Sequence, residues 1–153
     1  METSMIFKKD KGFECAHCRQ WVDCSKFIGT HFRNHCPHCF WSRHVDEKKF
    51  GDRQAFCRGL MEPIGLTFKK EGFDKYKKPR QGELMVIHQC QECSEISINR
   101  LAADDDPQTV LRIFEESKKV VKEILERLKN ESIRLLDEAD RQEIDKQLFG
   151  KKT

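Results

Sequence analysis

Apolar and polar residues alternate along part of this chain and fall at helical spacing along another part. Ile64, Leu66 and Phe68 alternate with neighbours of other character within residues 62–68, the period of a half-buried strand. Leu84-Met85-Val86-Ile87 is a compact apolar run leading into Cys90-Gln91-Glu92-Cys93, and Ile96 and Ile98 alternate just after it. This predicts strand, cysteine turn, strand. Between Phe13 and His44 there is no sustained helical period. The segment is dense in Cys, His and aromatics, including Trp21, Phe27, Phe32, Phe40 and Trp41, and reads as short strands and tight turns. From Val110 to Leu128 the apolar residues Val110, Ile113, Phe114, Val121, Ile124, Leu125 and Leu128 follow helical spacing. Asp104-Asp105-Asp106-Pro107 is a helix start, with Asp as N-cap and Pro at the first helical position. Asn130 interrupts the pattern, and Ile133, Leu135, Leu136, Ala139, Ile144 and Leu148 form a second apolar side. One continuous helix would be about 60 Å long, so a two-helix hairpin is expected.

Composition then decides what holds such a chain together. Of 153 residues, 37% are hydrophobic and 36% charged, a lean apolar supply for one large core, so a staple is expected. Six of the eight cysteines form three C-x-x-C pairs: Cys15/Cys18, Cys36/Cys39 and Cys90/Cys93. Two cysteines three apart on a tight turn point both sulfurs into one concavity, which suits a tetrahedral ion. The opening residues METSMIFKKD carry no apolar stretch of signal-peptide length, and nothing later could span a membrane. The expectation is a cytoplasmic protein with reduced thiols, bound to zinc rather than paired in disulfides.

The first site is Cys15, Cys18, Cys36 and Cys39, whose pairs are separated by 17 residues, enough for a hairpin to bring them face to face. In the second, Cys90 and Cys93 supply two ligands and Cys57 is the best third. The fourth is open among His44, His88 and Cys24. Cys24 lies inside the first module and reads as a small free thiol. His88, two residues before Cys90 on a strand, shares its face, which permits either ligation or support of a ligand.

The segment Arg33-Asn34-His35-Cys36-Pro37-His38-Cys39, followed by Ser42-x-His44-Val45-Asp46, resembles the signature of the RNHCP domain family. The match continues through Gly51-Asp52-Arg53, Cys57-x-Gly59-x-Met61-x-Pro63, His88-x-Cys90-x-x-Cys93 and Asn99-Arg100-x-Ala102-x-Asp104-Asp105, covering roughly residues 11–115. The resemblance implies a mostly bacterial zinc-binding domain. It implies further that Cys15, Cys18, Cys36, Cys39, His44, Cys57, Cys90 and Cys93 occupy metal-ligand-type positions for two zinc ions. Cys24 has no counterpart in that pattern. Family members often place Gly after the last knuckle cysteine, where this chain has Ser94. That knuckle is therefore expected to carry slight strain.

Several polar residues have a structural reading. Asn34 and His35 are expected to hydrogen-bond thiolates or backbone, and the three aspartates to cap the helix. Asn99 and Arg100 either brace the ribbon or, for Arg100, contact phosphate.

Charge adds a candidate partner. The net charge is +3, but residues 1–103 hold 18 Lys+Arg against 13 Asp+Glu, while residues 104–153 hold 11 against 13. Between the predicted strands lies a loop with Lys69, Lys70, Phe73, Lys75, Tyr76, Lys77, Lys78 and Arg80. Its six cations face only Glu71 and Asp74 and are interleaved with aromatics, a pattern suited to RNA, since charge follows phosphate and rings stack on bases. Catalysis has little support: there is no Ser/His/Asp order, no Gly-rich phosphate loop and no His-Glu-x-x-His helix.

The expected architecture is α+β. A flexible start (1–10) precedes a small zinc-stapled β domain of two ribbon or knuckle modules (11–106), and a C-terminal helical extension (107–149) packs on it or projects from it. The expected function is a non-enzymatic zinc protein that binds RNA or associates with the ribosome. The alternatives are a protein-interaction adaptor using the helices, and a zinc-dependent hydrolase. On the first reading the tail beyond 130, which is not basic overall, is dispensable for RNA.

Overall fold

The computed structural model describes residues 12–23, 35–44, 57, 59–101 and 105–150. The first ten residues and Cys24 lie outside them, as do Asn34 and Asp104. A small antiparallel hairpin pairs β1 (Gly12–Glu14) with β2 (Trp21–Asp23). A second antiparallel sheet, in the order β3-β4-β5-β6, joins Ser42–Arg43, Leu60–Phe68, Leu84–Cys90 and Ile96–Arg100. The alternating stretches thus become strands, and β4 starts two residues before the predicted Glu62. Pro63 sits in β4 because the register slips between Pro63 and Gly65, and such a bulge tolerates the missing amide donor.

The helical segment differs from the hairpin expected of it. α1 (Pro107–Ser117) starts as predicted, with the Asp106 side chain accepting from the amide of Gln108 and Pro107 in the first turn. It stops at Ser117 instead of running to Leu128. The buried Ser117 hydroxyl donates to the Phe114 carbonyl at 2.6 Å, and Val121 adopts an extended backbone. The sequence carries this break: residues 115–119 are Glu-Glu-Ser-Lys-Lys, leaving the apolar stripe empty for more than a turn. α2 (Lys122–Asn130) follows. The chain then turns and runs back without helix or strand to Asp137, whose capping box with Asp140 opens a 3₁₀ turn (Glu138–Asp140) and α3 (Arg141–Phe149). Gly150, with a φ of 66°, ends α3 in the left-handed conformation that glycine adopts freely.

These helices cover both faces of the sheet. Leu84 and Val86 of β5 point to one side, where they join Phe40, Leu66, Val110, Ile113, Phe114, Leu136 and Ile144 in one buried cluster. Ile87 points to the other, where it meets Ile96 and Leu128 with Ile64, Ile124, Ile133 and Leu135 around them. The period-two pattern of β5 therefore serves two cores rather than one core and solvent. Between the helices, Leu136 donates its amide to the Leu66 carbonyl at 3.0 Å, covering the part of β4's edge that the two-residue β3 leaves open. This crossing needs Gly65, since a Cβ there would lie 2.3 Å from Leu135 Cδ1. Gln147 of α3 also clasps the start of β5. Its oxygen accepts from the Leu84 amide at 2.7 Å and its amide donates to the Gly82 carbonyl at 3.0 Å. The helical segment packs on the sheet rather than projecting from it.

Ile144 is fully buried against residues from β4, β5 and α1. Ile144→Ala should lower the stability of the whole sheet by about 2–5 kcal/mol. Urea unfolding followed by far-ultraviolet circular dichroism should show one transition at a lower midpoint.

Candidate metal centres

The three C-x-x-C pairs fold into three copies of one backbone device. In each, the first cysteine's amide donates to the carbonyl five residues on: Cys15 to Gln20, Cys36 to Trp41 and Cys90 to Glu95, at 2.8–3.0 Å. In each, the residue after the second cysteine donates back to the first cysteine's carbonyl: Arg19 to Cys15, Phe40 to Cys36 and Ser94 to Cys90. Closing so tight a turn forces a left-handed backbone there, with φ of 68°, 67° and 67°. None of the three is glycine, and this conformation costs an L-residue about 1–2 kcal/mol. The strain expected at Ser94 is therefore present, and Arg19 and Phe40 share it. Phe40 recovers it by burying its ring completely in the sheet's core.

The turns bring two sets of donors together. Cys15, Cys18, Cys36 and Cys39 form one set, and His44, Cys57, Cys90 and Cys93 the other, with the ligand atoms of each set within 4.8 Å of one another. Cys15 and Cys39 sulfurs are 3.7 Å apart, Cys18 and Cys36 3.6 Å, and Cys57 and Cys90 3.5 Å. His44 Nδ1 stands 3.3 Å from Cys93 Sγ. A disulfide needs about 2.05 Å between sulfurs. Donors around one ion at about 2.3 Å for sulfur and 2.0–2.1 Å for nitrogen stand roughly this far apart. Both clusters fit a tetrahedral metal and can hold one.

Backbone amides already point at the sulfurs. The amides of His17 and Cys18 donate to Cys15 Sγ at 3.3 and 3.4 Å, and that of His38 to Cys36 Sγ at 3.3 Å. These donors favour thiolate. The Cys39 thiol beside it, helped by the Cys39 and His38 amides, brings Cys36 down to about 4 against the opposing effect of burial. Cys39 is pushed far up in return by sharing that hydrogen bond with Cys36, and burial raises Cys18. In the second cluster burial raises Cys90, but the amides of Cys93 and Glu92 together with hydrogen bonds to Cys57 and His44 bring the thiol to about 7. Cys93, raised first by burial, is pushed up to about 11. Burial and the neighbouring sulfur thus oppose ionisation of Cys18, Cys39 and Cys93, and a divalent cation would reverse that opposition.

Of the candidates for the fourth ligand of the second site, Cys24 lies outside the described residues, and the structure distinguishes the other two. His44 joins the cluster, its Nδ1 facing Cys93. His88 does not. It is buried, and its Nε2 meets the Phe40 carbonyl at 2.5 Å while its Nδ1 meets the Asn99 side chain at 2.8 Å. Burial, only partly offset by the Phe40 carbonyl, depresses its pKa to about 3, so the ring is neutral. Asn99 therefore braces the sheet, and Arg100 pairs with Glu83 at 3.1 Å. The backbone of His35 bridges to Ser42, and its side chain reaches toward α1. Its Nε2 meets Asp105 Oδ2 at 2.8 Å with both side chains buried, tying the second knuckle to the start of α1. The aspartates thus divide their work: Asp106 caps the helix and Asp105 holds His35. His17 stacks on Trp41 at 4.1 Å, joining the first two knuckles.

Two supporting residues had no role assigned from the sequence. Glu95 places a carboxylate 3.7 Å from His44 Nε2, the ring atom left over when Nδ1 faces the cluster. Gly59 packs so tightly that a Cβ would come within 2.9 Å of Cys90 Sγ and 2.5 Å of Glu92 Cγ. The C-x-G spacing at Cys57 was the signal for it.

Lys69, Lys70, Phe73, Lys75, Tyr76, Lys77, Lys78 and Arg80 lie elsewhere. They occupy the β4–β5 connection, at the opposite end of β5 from Cys90, a strand length of about 20 Å away.

His44→Ala should reduce bound metal from two equivalents to one while leaving the helical circular-dichroism signal in place, because the helices and the sheet's core do not contain His44. Metal analysis after dialysis against a weak chelator checks this.

No curated protein and no solved structure gives a significant match to the chain. The model of the RNHCP domain matches residues 10–111, spanning all three knuckles and both donor clusters. The chain belongs to the RNHCP domain family.

Proposed function

We propose that this is a zinc protein that binds single-stranded RNA through the β4–β5 connection, its two zinc ions serving structure rather than catalysis. Zinc fits the donor chemistry, thiolate with one imidazole in tetrahedral sets. Each cluster supplies four protein donors, which complete the tetrahedron, whereas a catalytic zinc keeps a position open for water. That weighs against a hydrolase.

The observation that carries the RNA reading is the order of the basic segment. Residues 69–83 form a miniature hairpin: Lys69 donates to the Glu83 carbonyl, Arg80 to that of Gly72, and Phe73 bridges to Pro79. At the tip Asp74 Oδ1 accepts from the amides of Tyr76 at 2.8 Å and Lys78 at 3.0 Å. Gly82 lets the strands cross at the base, where a Cβ would lie 1.6 Å from the Lys69 carbonyl oxygen. The hairpin holds Phe73 and Tyr76 out to solvent, 67% and 71% exposed, among Lys75, Lys77 and Lys78. Lysines alone would keep a loop soluble. Two fixed, exposed rings between them match a stacking platform for bases. The adaptor reading has less to work with, because the helices turn most of their apolar residues onto the sheet. Among the described residues of α2 and its N-cap, Val121 and Leu125 are the large apolar side chains left exposed.

Replacing Phe73 and Tyr76 with Ala should weaken binding of a labelled single-stranded RNA by about 1–3 kcal/mol per lost stacked base and leave its salt dependence unchanged. Neutralising Lys75, Lys77 and Lys78 should instead flatten the slope of log affinity against log salt by roughly 0.7 per lost phosphate contact. Fluorescence anisotropy across a salt series separates the two. Salt-independent capture of protein partners with no RNA affinity would favour the adaptor.

A further inference from the structure

The hairpin is one wall of a groove whose other wall is the turn between α2 and the 3₁₀ segment. A cavity of about 740 Å³ separates them, with Lys69, Lys70, Phe73 and Arg80 on the hairpin side and Lys129 and Arg134 on the helical side. We infer that this groove is the path of the RNA backbone, with Lys129 and Arg134 supplying phosphate contacts from the C-terminal segment. The inference rests on the RNA reading above and extends it to a part of the chain whose overall charge conceals it.

Charge selects the occupant. Five cations meet Glu71 in the lining and Asp140 behind Arg134. Arg134 is held by a bidentate pair with Asp140, both bonds at 2.9 Å, which fixes its guanidinium while neutralising part of it. Lys69 lies 4.0 Å from Glu71. Lys70 and Lys129 form no ion pair with any described residue, so each is available to a phosphate, one from each wall. Arg80 is oriented by donating through Nε to the Phe73 carbonyl at 3.2 Å, which places a fixed cation beside an exposed ring. The volume lies within the range of about 300–1,000 Å³ found for sites that enclose an organic ligand. That leaves room for a nucleotide unit rather than a bare phosphate.

The walls are also built to keep their spacing. Gln147 ties α3 to the base of the hairpin through Leu84 and Gly82. The far wall is set by a tight turn: Ser132, at a φ of 60°, donates its amide to the Lys129 carbonyl, and Ile133 packs into the core beneath. A cleft with two fixed basic walls binds a strand passing through it, whereas a lone loop would touch it on one side.

The test uses the full-length, zinc-loaded protein and a fluorescein-labelled oligouridylate across a salt series. The groove variant Lys70→Gln/Lys129→Gln is compared with the tip variant Lys77→Gln/Lys78→Gln, with Lys129→Arg as the charge-conserving control. Loss of two contacts should flatten the groove variant's slope by roughly 1.4, so between 50 and 200 mM salt the parent should lose about sevenfold more affinity than the variant. Lys129→Arg should bind like the parent. A groove variant with the parent's slope, beside a tip variant that has lost it, would overturn the groove and leave the RNA reading standing. A parent with no salt-dependent affinity for the oligouridylate would overturn both. Polyglutamate that displaces the oligouridylate at equal charge would overturn the assignment to nucleic acid.

Discussion

Four cysteine sulfurs, or three and an imidazole, gathered within 4.8 Å can all act as thiolates only with a cation between them, and this chain builds that arrangement twice. Much of the N-terminal architecture follows from it. Among the described residues, Val22 and the cysteines Cys15 and Cys36 are buried around the first set, with Phe13 packed alongside. A metal ion held there would add to what the knuckle hydrogen bonds already do in keeping Arg19, Phe40 and Ser94 in their left-handed conformations.

The second set sits where the metal-dependent part of the chain meets the part with an ordinary core. Cys90 ends β5 and Cys93 starts the return to β6, while His44 and Cys57 flank the ends of β3 and β4. From there the sheet is held by side chains rather than metal, with α1 and α3 on one face and α2 on the other. Phe40 couples the two regimes. Its backbone closes the second knuckle, its carbonyl binds His88, and its ring completes the sheet's core. The cysteine clusters at one end and the packed sheet at the other are therefore joined by a few residues, among them the buried His35–Asp105 pair. At the far end of the same strands, that packing fixes both walls of the basic groove.

The strands and ligand sets were legible in the sequence because each depends on local pattern: period-two alternation, paired cysteines, an aspartate before a proline. The family resemblance pointed to His44, which the spacing alone left level with His88 and Cys24. The divided helices were less legible. Helical spacing on either side of residues 115–119 looks continuous when the apolar positions are read without the gap, and the Ser117 bond that ends α1 depends on burial. The mutual fit of Gly65 and Leu135, the Gln147 clasp and the groove itself could not be read. Each joins residues far apart in sequence whose types, taken singly, are ordinary.

Zinc in two closed tetrahedra would be held by four thiolates in one and by three thiolates with His44 in the other. X-ray absorption at the zinc edge of the loaded protein tests it most directly. The account predicts two zinc ions per chain with an averaged shell of seven sulfurs and one nitrogen shared between them, at distances of about 2.3 Å and 2.0–2.1 Å. A single ion, iron in place of zinc, or a shell containing water oxygen would contradict it.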